Sequence, residues 1–273
     1  MINRTKVLTL IVFGLIFLNL SAQEDDFNND PVAKLPDDNR TFRFGLHFSP
    51  DISWLKPNTS GYEKEGTKTG FSYGLSFEYF MSNNYLISTG ITLSNLGGEL
   101  SYKGTYVNPD YVNYLPATLD ESYHLKYIEI PLLLKLRTNE IGYLTYYGLF
   151  GLTTGFNYGA KADINYTSIL DLGSGVTSVV TYNEKKVNIS KDINFMNMYL
   201  VIGGGVEYNI SGNTSLTLGI TFNDGFINQL DNKVNLLDGN GDALLDSSGK
   251  PVYSEKDASA NLNYFALNIG IYF

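Results

Sequence analysis

The sequence predicts an all-β fold: a closed antiparallel transmembrane β-barrel of about eight strands, with short turns at one rim and long loops at the other. Three observations carry that expectation. Eight segments alternate apolar residues with small or polar ones, the period of a strand whose two faces meet different surroundings. The connections between them alternate short and long along the chain, the asymmetry of barrels with short periplasmic turns and long extracellular loops. The chain also opens on a segment of the kind that directs export.

That opening segment, residues 1–22, reads as a cleaved signal peptide. Arg4 and Lys6 make its basic start, Val7 to Leu20 its apolar run, and Ser21-Ala22 its small-residue exit. The apolar run is too short for a helical span, which needs about 20 residues. Removing it takes the formal charge from −9 to −11, because the leader holds two cations and no acid. A surface that acidic is unsuited to phosphate backbones, so nucleic acid is excluded as a partner. The absence of cysteine removes disulfides and thiolate metal sites. No later stretch is apolar for long enough to cross a membrane as a helix. Residues 23–40 are polar and acidic, with Pro31 and Pro36, and read as a flexible lead-in.

The barrel is expected over residues 41–273, and its strands follow in order. In the first, Phe42, Phe44, Leu46 and Phe48 alternate with Arg43, Gly45, His47 and Ser49. The second sets Phe71, Tyr73, Leu75, Phe77 and Tyr79 against Ser72, Gly74, Ser76 and Glu78. The third sets Ile87, Ile91 and Leu93 against Ser88, Gly90, Thr92 and Ser94. The fourth sets Ile128, Ile130, Leu132, Leu134 and Leu136 opposite Glu129, Lys135 and Arg137, with Pro131 marking a bulge or local irregularity. The fifth, Tyr143 to Phe156, is apolar or small on both sides and its phase stays open. The sixth sets Met198, Leu200, Ile202, Val206 and Tyr208 against Asn197, Gly203, Gly205 and Glu207. In the seventh, Leu216, Leu218, Ile220 and Phe222 oppose Ser215, Thr217, Gly219 and Thr221. The last turns Phe265, Leu267, Ile269, Ile271 and Phe273 away from Tyr264, Asn268, Gly270 and Tyr272. Segments of about 9–14 residues suit strands tilted across a bilayer better than the short strands of soluble sheets.

Ser82 to Asn84, Thr138 to Gly142 and Asn209 to Asn213 are the tight turns. The long loops are Pro50 to Lys68, Gly98 to His124, Asn157 to Asp192 and Asn228 to Ser259. An even strand count puts both ends of the barrel on the side of the short turns.

Orientation decides what chemistry is available. A soluble barrel would carry many Lys and Glu on its polar face; here that face is mostly Gly, Ser and Thr, which fit a narrow interior. The apolar face then meets lipid, which requires closure because hydrocarbon cannot satisfy an open edge. Arg43, His47, Glu78, Glu129, Lys135, Arg137 and Glu207 therefore share the lumen, where mixed charges are expected to pair as a structural network. Phe273, an aromatic on the apolar face of the last strand, resembles the signal by which barrel-assembly machinery recognises its clients.

The run Tyr127-Ile128-Glu129-Ile130-Pro131-Leu132-Leu133-Leu134-Lys135 resembles the most recognisable strand of the PorT-like outer-membrane β-barrel family of Bacteroidetes. Tyr147-Gly148-Leu149-Phe150-Gly151 and Gly203-Gly204-Gly205-Val206-Glu207-Tyr208 support the resemblance, which spans roughly residues 41–273. It implies an outer-membrane location and an eight-stranded barrel. The family takes its name from a type IX secretion component, so a role beside such a system is one expectation.

Catalytic signals are few. His47 and His124 are the two histidines, and Gly-x-Ser-x-Gly and phosphate-cradling motifs are absent. Ser122 and His124 at a loop mouth carry an alternative reading as an outer-leaflet lipid-modifying enzyme, and a secreted soluble lipocalin-like barrel is another. Asp238-Gly239-Asn240-Gly241-Asp242 opens like a calcium loop, but Ala243 and Gly249 break the pattern and leave a polar turn. Tyr102, Tyr106, Tyr111 and Tyr114 fall in the second long loop as possible ligand contacts. The expected protein is non-enzymatic and without cofactor or metal. It is a membrane anchor or interaction scaffold with a side-chain-filled lumen, whose partners are outer-membrane lipid, the barrel-assembly machinery and a protein met through its loops or periplasmic rim.

Overall fold

A computed structural model describes residues 41–107, 114–171 and 177–273; the expected leader at 1–22 and lead-in at 23–40 lie outside the described residues. The alternating segments become strands because one face of each can be apolar while the other lines a polar interior. In chain order they are β1 (Phe42–Pro57), β2 (Tyr62–Gly66), β3 (Lys68–Ser82), β4 (Tyr85–Val107), β5 (Tyr114–Arg137) and β6 (Leu144–Asp171). There follow β7 (Thr177–Asn188), β8 (Met196–Ser211), β9 (Thr214–Gly225), β10 (Lys233–Asn235), β11 (Tyr253–Asp257) and β12 (Ala260–Tyr272). Eight of them close an antiparallel ring in the order β1-β3-β4-β5-β6-β8-β9-β12 and back to β1. Closure runs from Gly45 opposite Tyr272 to Pro57 opposite Ala260, and Phe44 and Phe273 exchange backbone hydrogen bonds beyond it. β2 adds to the outer part of β4, β7 adds to β6, and β10 with β11 forms a separate hairpin.

The short turns lie between β3 and β4, β5 and β6, and β8 and β9. Gly142 (φ 69°) and Gly212 (φ 50°) occupy left-handed backbone there, which explains glycine at both positions. The fifth predicted segment, whose phase was open, turns Tyr146, Phe150 and Leu152 outward and Thr145, Tyr147 and Thr153 inward.

Lipid-facing side chains form a band: Phe44, Leu75, Leu132, Phe150, Ile202 and Ile220 are among the exposed large apolar residues, Leu132 at 64%. Ile130 is half-buried and Leu134 exposed on this face, while Glu129 and Lys135 are buried inside. Leu132→Arg is therefore expected to cost about 2–4 kcal/mol, the range for a cation at mid-bilayer on a barrel's lipid face. Urea unfolding in lipid vesicles measures it, and a cost near zero would mean that this face does not meet hydrocarbon.

Two expectations need correction. Strand β1 runs on to Pro57 and strands β4, β5 and β6 are 23, 24 and 28 residues long, so much of the chain assigned to the long loops at 50–68, 98–124 and 157–192 continues as strand. The reason is a reversal of chemistry without a reversal of backbone alternation. Along β5, Ile128, Ile130, Leu132, Leu134 and Leu136 point outward, but beyond Tyr127 the outward residues are Lys126, His124 and Ser122, while Leu125, Tyr123 and Leu119 are buried inside. Outside the bilayer the wall meets water, so polar residues move to its surface and apolar ones pack within. A proline is the second correction. Pro131 gives the local irregularity its place predicts, in the form of a gap and not a bulge: the β4–β5 ladder lapses opposite it and resumes unshifted, with Thr89 facing Leu132 and Thr92 facing Glu129. The ring denies the ladder one N–H, and Thr89 Oγ1 donates to the Pro131 carbonyl at 2.7 Å. Pro50, expected to open a loop, likewise sits inside β1, opposite Phe71.

Candidate functional site

The inward face of the ring is a stack of layers, and the antiparallel register says which residues share each layer. At the end near the short turns, Arg43 of β1 faces Glu78 of β3, and Lys135 of β5 and Glu207 of β8 project into the same space. Arg43 Nε donates to Glu78 Oε2 at 2.6 Å, and Arg43 Nη2 donates to Glu207 Oε1 at 2.6 Å. Lys135 Nζ donates to Glu78 Oε1 at 2.9 Å and also pairs with Glu207. Arg137 Nη2 reaches Glu207 Oε2 at 3.0 Å. Each carboxylate thus touches at least two cations, and each of Arg43 and Lys135 touches both carboxylates. Four buried charges can coexist only under such cross-linking, since a single desolvated ion costs several kcal/mol. Aromatic faces complete the layer: Arg43 lies over Tyr272 at 4.7 Å from the ring centre and Lys135 over Tyr147 at 4.3 Å. Tyr147 needs room, which the glycines give. A Cβ on Gly205 or Gly219 would collide with its hydroxyl, which accounts for glycine at those two positions.

Of the seven charged or titratable residues expected to share the lumen, five therefore meet here. His47 and Glu129 do not join them. His47 stands one layer up, where Nδ1 lies 2.8 Å from Ser76 Oγ and Nε2 lies 3.2 Å from Thr92 Oγ1. It borders a cavity of about 130 Å³ with a mixed wall, hydroxyls of Ser72, Ser88 and Thr221 beside Leu133, Leu149 and Val201, and with Glu78, Lys135 and Glu129 also on its lining. Glu129 belongs to the next layer, accepting from Ser94 Oγ at 2.7 Å and Tyr264 Oη at 3.1 Å. Asp51 sits in that layer too, accepting from Ser72 Oγ at 3.0 Å. Sequence reasoning missed Asp51 because Pro50 was read as the strand's end; extending the alternation of β1 past the proline would have placed it inside.

Above this layer the lumen is filled. Leu55, Leu96, Leu100, Leu119, Leu125, Ile164 and Leu262 pack into one buried cluster with Tyr123, Tyr127 and Tyr199. Ile193 and Leu230, joined by an isolated β-bridge, belong to the same cluster, and the Tyr127 hydroxyl donates to Gln229 Oε1. Within the cluster Glu121 accepts from Tyr102 Oη at 2.8 Å and from Tyr123 Oη. Burial raises the Glu121 carboxyl above its usual value, and the two hydroxyls hold it down against that effect.

The tyrosines expected as loop contacts are placed differently. Tyr102 and Tyr106 point inward and are buried, Tyr102 stacked on Tyr62 with ring centres 4.4 Å apart and Tyr106 against Tyr166 and Tyr182. They lie on strands whose inward face is apolar, which withdraws them from an external ligand. Tyr114 is half-buried at the start of β5, and Tyr111 lies outside the described residues. Phe273 is exposed on the outer face, 53% accessible. On the outside of the extended wall, Ser122 Oγ donates to Glu99 Oε1 at 3.0 Å, while His124 Nε2 lies 3.2 Å from Asp163 Oδ2 and 3.3 Å from Lys68 Nζ. The backbone N–H of Lys186 holds the Asp163 carboxyl below its usual value, and His124 adds to this. Asp238, first residue of the calcium-like turn, spends Oδ1 on the backbone N–H groups of Asn240 and Asp242. Among the described residues no cluster of His, Cys, Asp and Glu has the makings of a metal centre with three such ligands.

A family model described as an outer membrane protein beta-barrel domain matches residues 21–231. Among solved structures, Neisserial surface protein A (NspA) is similar at TM-score 0.39 and 13% identity, over 85% of this chain and 96% of its own. The attachment invasion locus protein Ail of Yersinia pestis is similar at TM-score 0.30 and 13% identity, over 85% and 98%. The outer membrane protein OprG from Pseudomonas aeruginosa is similar at 0.37 and 12% identity, over 85% and 95%. No curated protein sequence matches the chain.

Proposed function

The chain belongs to the outer membrane β-barrel domain family and resides in the outer membrane, and from that premise we propose that it is a non-enzymatic anchor whose extended outer wall engages a protein partner. The observation that carries this reading is the filling of the lumen. A cross-linked ion cluster occupies one end, a packed apolar core the other, and the cavity between them is about 130 Å³, room for a few waters. An eight-stranded ring is narrow enough for side chains to fill, so solute traffic is a poor fit and the available surface is the outside. That surface is unusual in extent, because β4 to β7 carry their pairing well past the apolar band. The motif from Tyr127 to Lys135 supports placing the chain with the PorT-like barrels of Bacteroidetes, and the partner could then belong to a type IX secretion system. Export through the leader at 1–22 and assembly through Phe273 are part of the same proposal.

The lipid-modifying alternative finds less support. Ser122 is bonded to Glu99, and His124 is engaged by Asp163 and Lys68, so the hydroxyl and the imidazole are each turned to a partner other than the other.

The test is twofold. The purified protein in planar bilayers is expected to show no stable conductance, and steady channel openings would replace the anchor reading with a transport one. Expression of His124→Ala in place of the wild type is expected to leave the lipid A mass spectrum unchanged; a lost modification would restore the enzyme.

A further inference from the structure

Among the described residues, Asp51 and Glu129 are two carboxylates on the inner face that take part in no ion pair. Asp51 of β1 and Glu129 of β5 are each 3% exposed. Ser72, which donates to Asp51 Oδ2, and Ser94, which donates to Glu129 Oε2, face each other across the β3–β4 ladder, a relation that holds side chains roughly 5 Å apart. The paired serines thereby set the two acids at one level of the lumen. Among the described residues neither takes part in an ion pair: Arg43 and Lys135 are engaged by Glu78 and Glu207 two layers away. Each acid also keeps one oxygen, Asp51 Oδ1 and Glu129 Oε1, buried and without a protein donor. Glu129 borders the cavity, which offers space for a further ligand beside it.

We propose that Asp51 and Glu129 form a lumenal site for one hard divalent cation, with calcium as the fitting example. The donors are all oxygen, two carboxylates and adjacent hydroxyls, the set that hard cations take. Two like charges in a water-poor interior repel strongly, and a +2 ion between them removes the repulsion and satisfies both free oxygens at once. A single shared proton would neutralise one acid and leave the other charged.

Equilibrium dialysis of the full chain, refolded in detergent and stripped with EDTA, against calcium-45 tests this. One ion per chain is expected. Asp51→Asn and Glu129→Gln should each weaken binding about tenfold or more, since affinity follows ligand charge, whereas Asp242→Asn in the outer turn should not. Absence of bound calcium, or binding that survives both lumenal substitutions, overturns the proposal. If either variant loses the heat-modifiable migration of a folded barrel, the wild type decides: calcium must raise its urea midpoint, and an unmoved midpoint overturns the site.

Discussion

Replacing Glu207 with alanine is expected to destabilise the barrel by about 3–5 kcal/mol, the cost of leaving buried charge without its partner. Glu207 binds Arg43, Lys135 and Arg137 together, so its loss leaves three cations facing the single carboxylate of Glu78. Of these, Arg43 and Lys135 are 4% and 3% exposed and cannot turn to water without moving the wall around them. The readout is the urea midpoint in vesicles or micelles, with heat-modifiable migration as the check that a barrel forms at all. Glu207→Gln should recover part of the loss, because the amide keeps an acceptor for Arg43 Nη2 while giving up the charge. Equal stability of the wild type and Glu207→Ala would mean that the cluster does not hold the ring.

Leu100→Ala should cost about 2–5 kcal/mol, the range for truncating a buried leucine. Leu100 is fully buried on β4 among Leu55, Leu96, Leu119 and Leu125, in chain that patterning alone assigned to a loop. The measurement is the same urea transition, with a second readout in limited proteolysis from outside intact cells. The variant should be cut within the outer wall while the membrane part stays protected. A loop residue would give neither effect, so an unchanged transition together with an unchanged digest would refute the packed outer core.

What the sequence made legible, and what it hid, follows from one assumption. Phe42 to Ser49, Phe71 to Tyr79 and Leu216 to Phe222 alternate with apolar residues outward, and wherever lipid is the surrounding solvent that rule identified the strands, their facing and their order. Where water replaces lipid, the same backbone needs the opposite pattern, and stretches such as Gly98 to Tyr106 or Leu119 to His124 looked like irregular polar chain. The charge network was half legible for a related reason. Alternation gives the facing of Arg43, Glu78, Lys135 and Glu207 but not their height along the axis, which depends on the stagger between strands. That stagger brings those four together with Arg137, leaves His47 among serines and threonines, and lifts Glu129 to the level of Asp51.

The seam of the ring joins β1 to β12, the first strand of the barrel to its last, with Phe44 bonded to Phe273. That pairing spans the greatest sequence separation in the barrel, and loop-closure entropy must be met before any of its hydrogen bonds form. The ring therefore cannot be sealed while the ribosome is still at work on β12, and the polypeptide must travel to its membrane with all eight ribbons unjoined at one edge. Until then the outward apolar stripes have no hydrocarbon to face, and they must be shielded from water and from each other on the way.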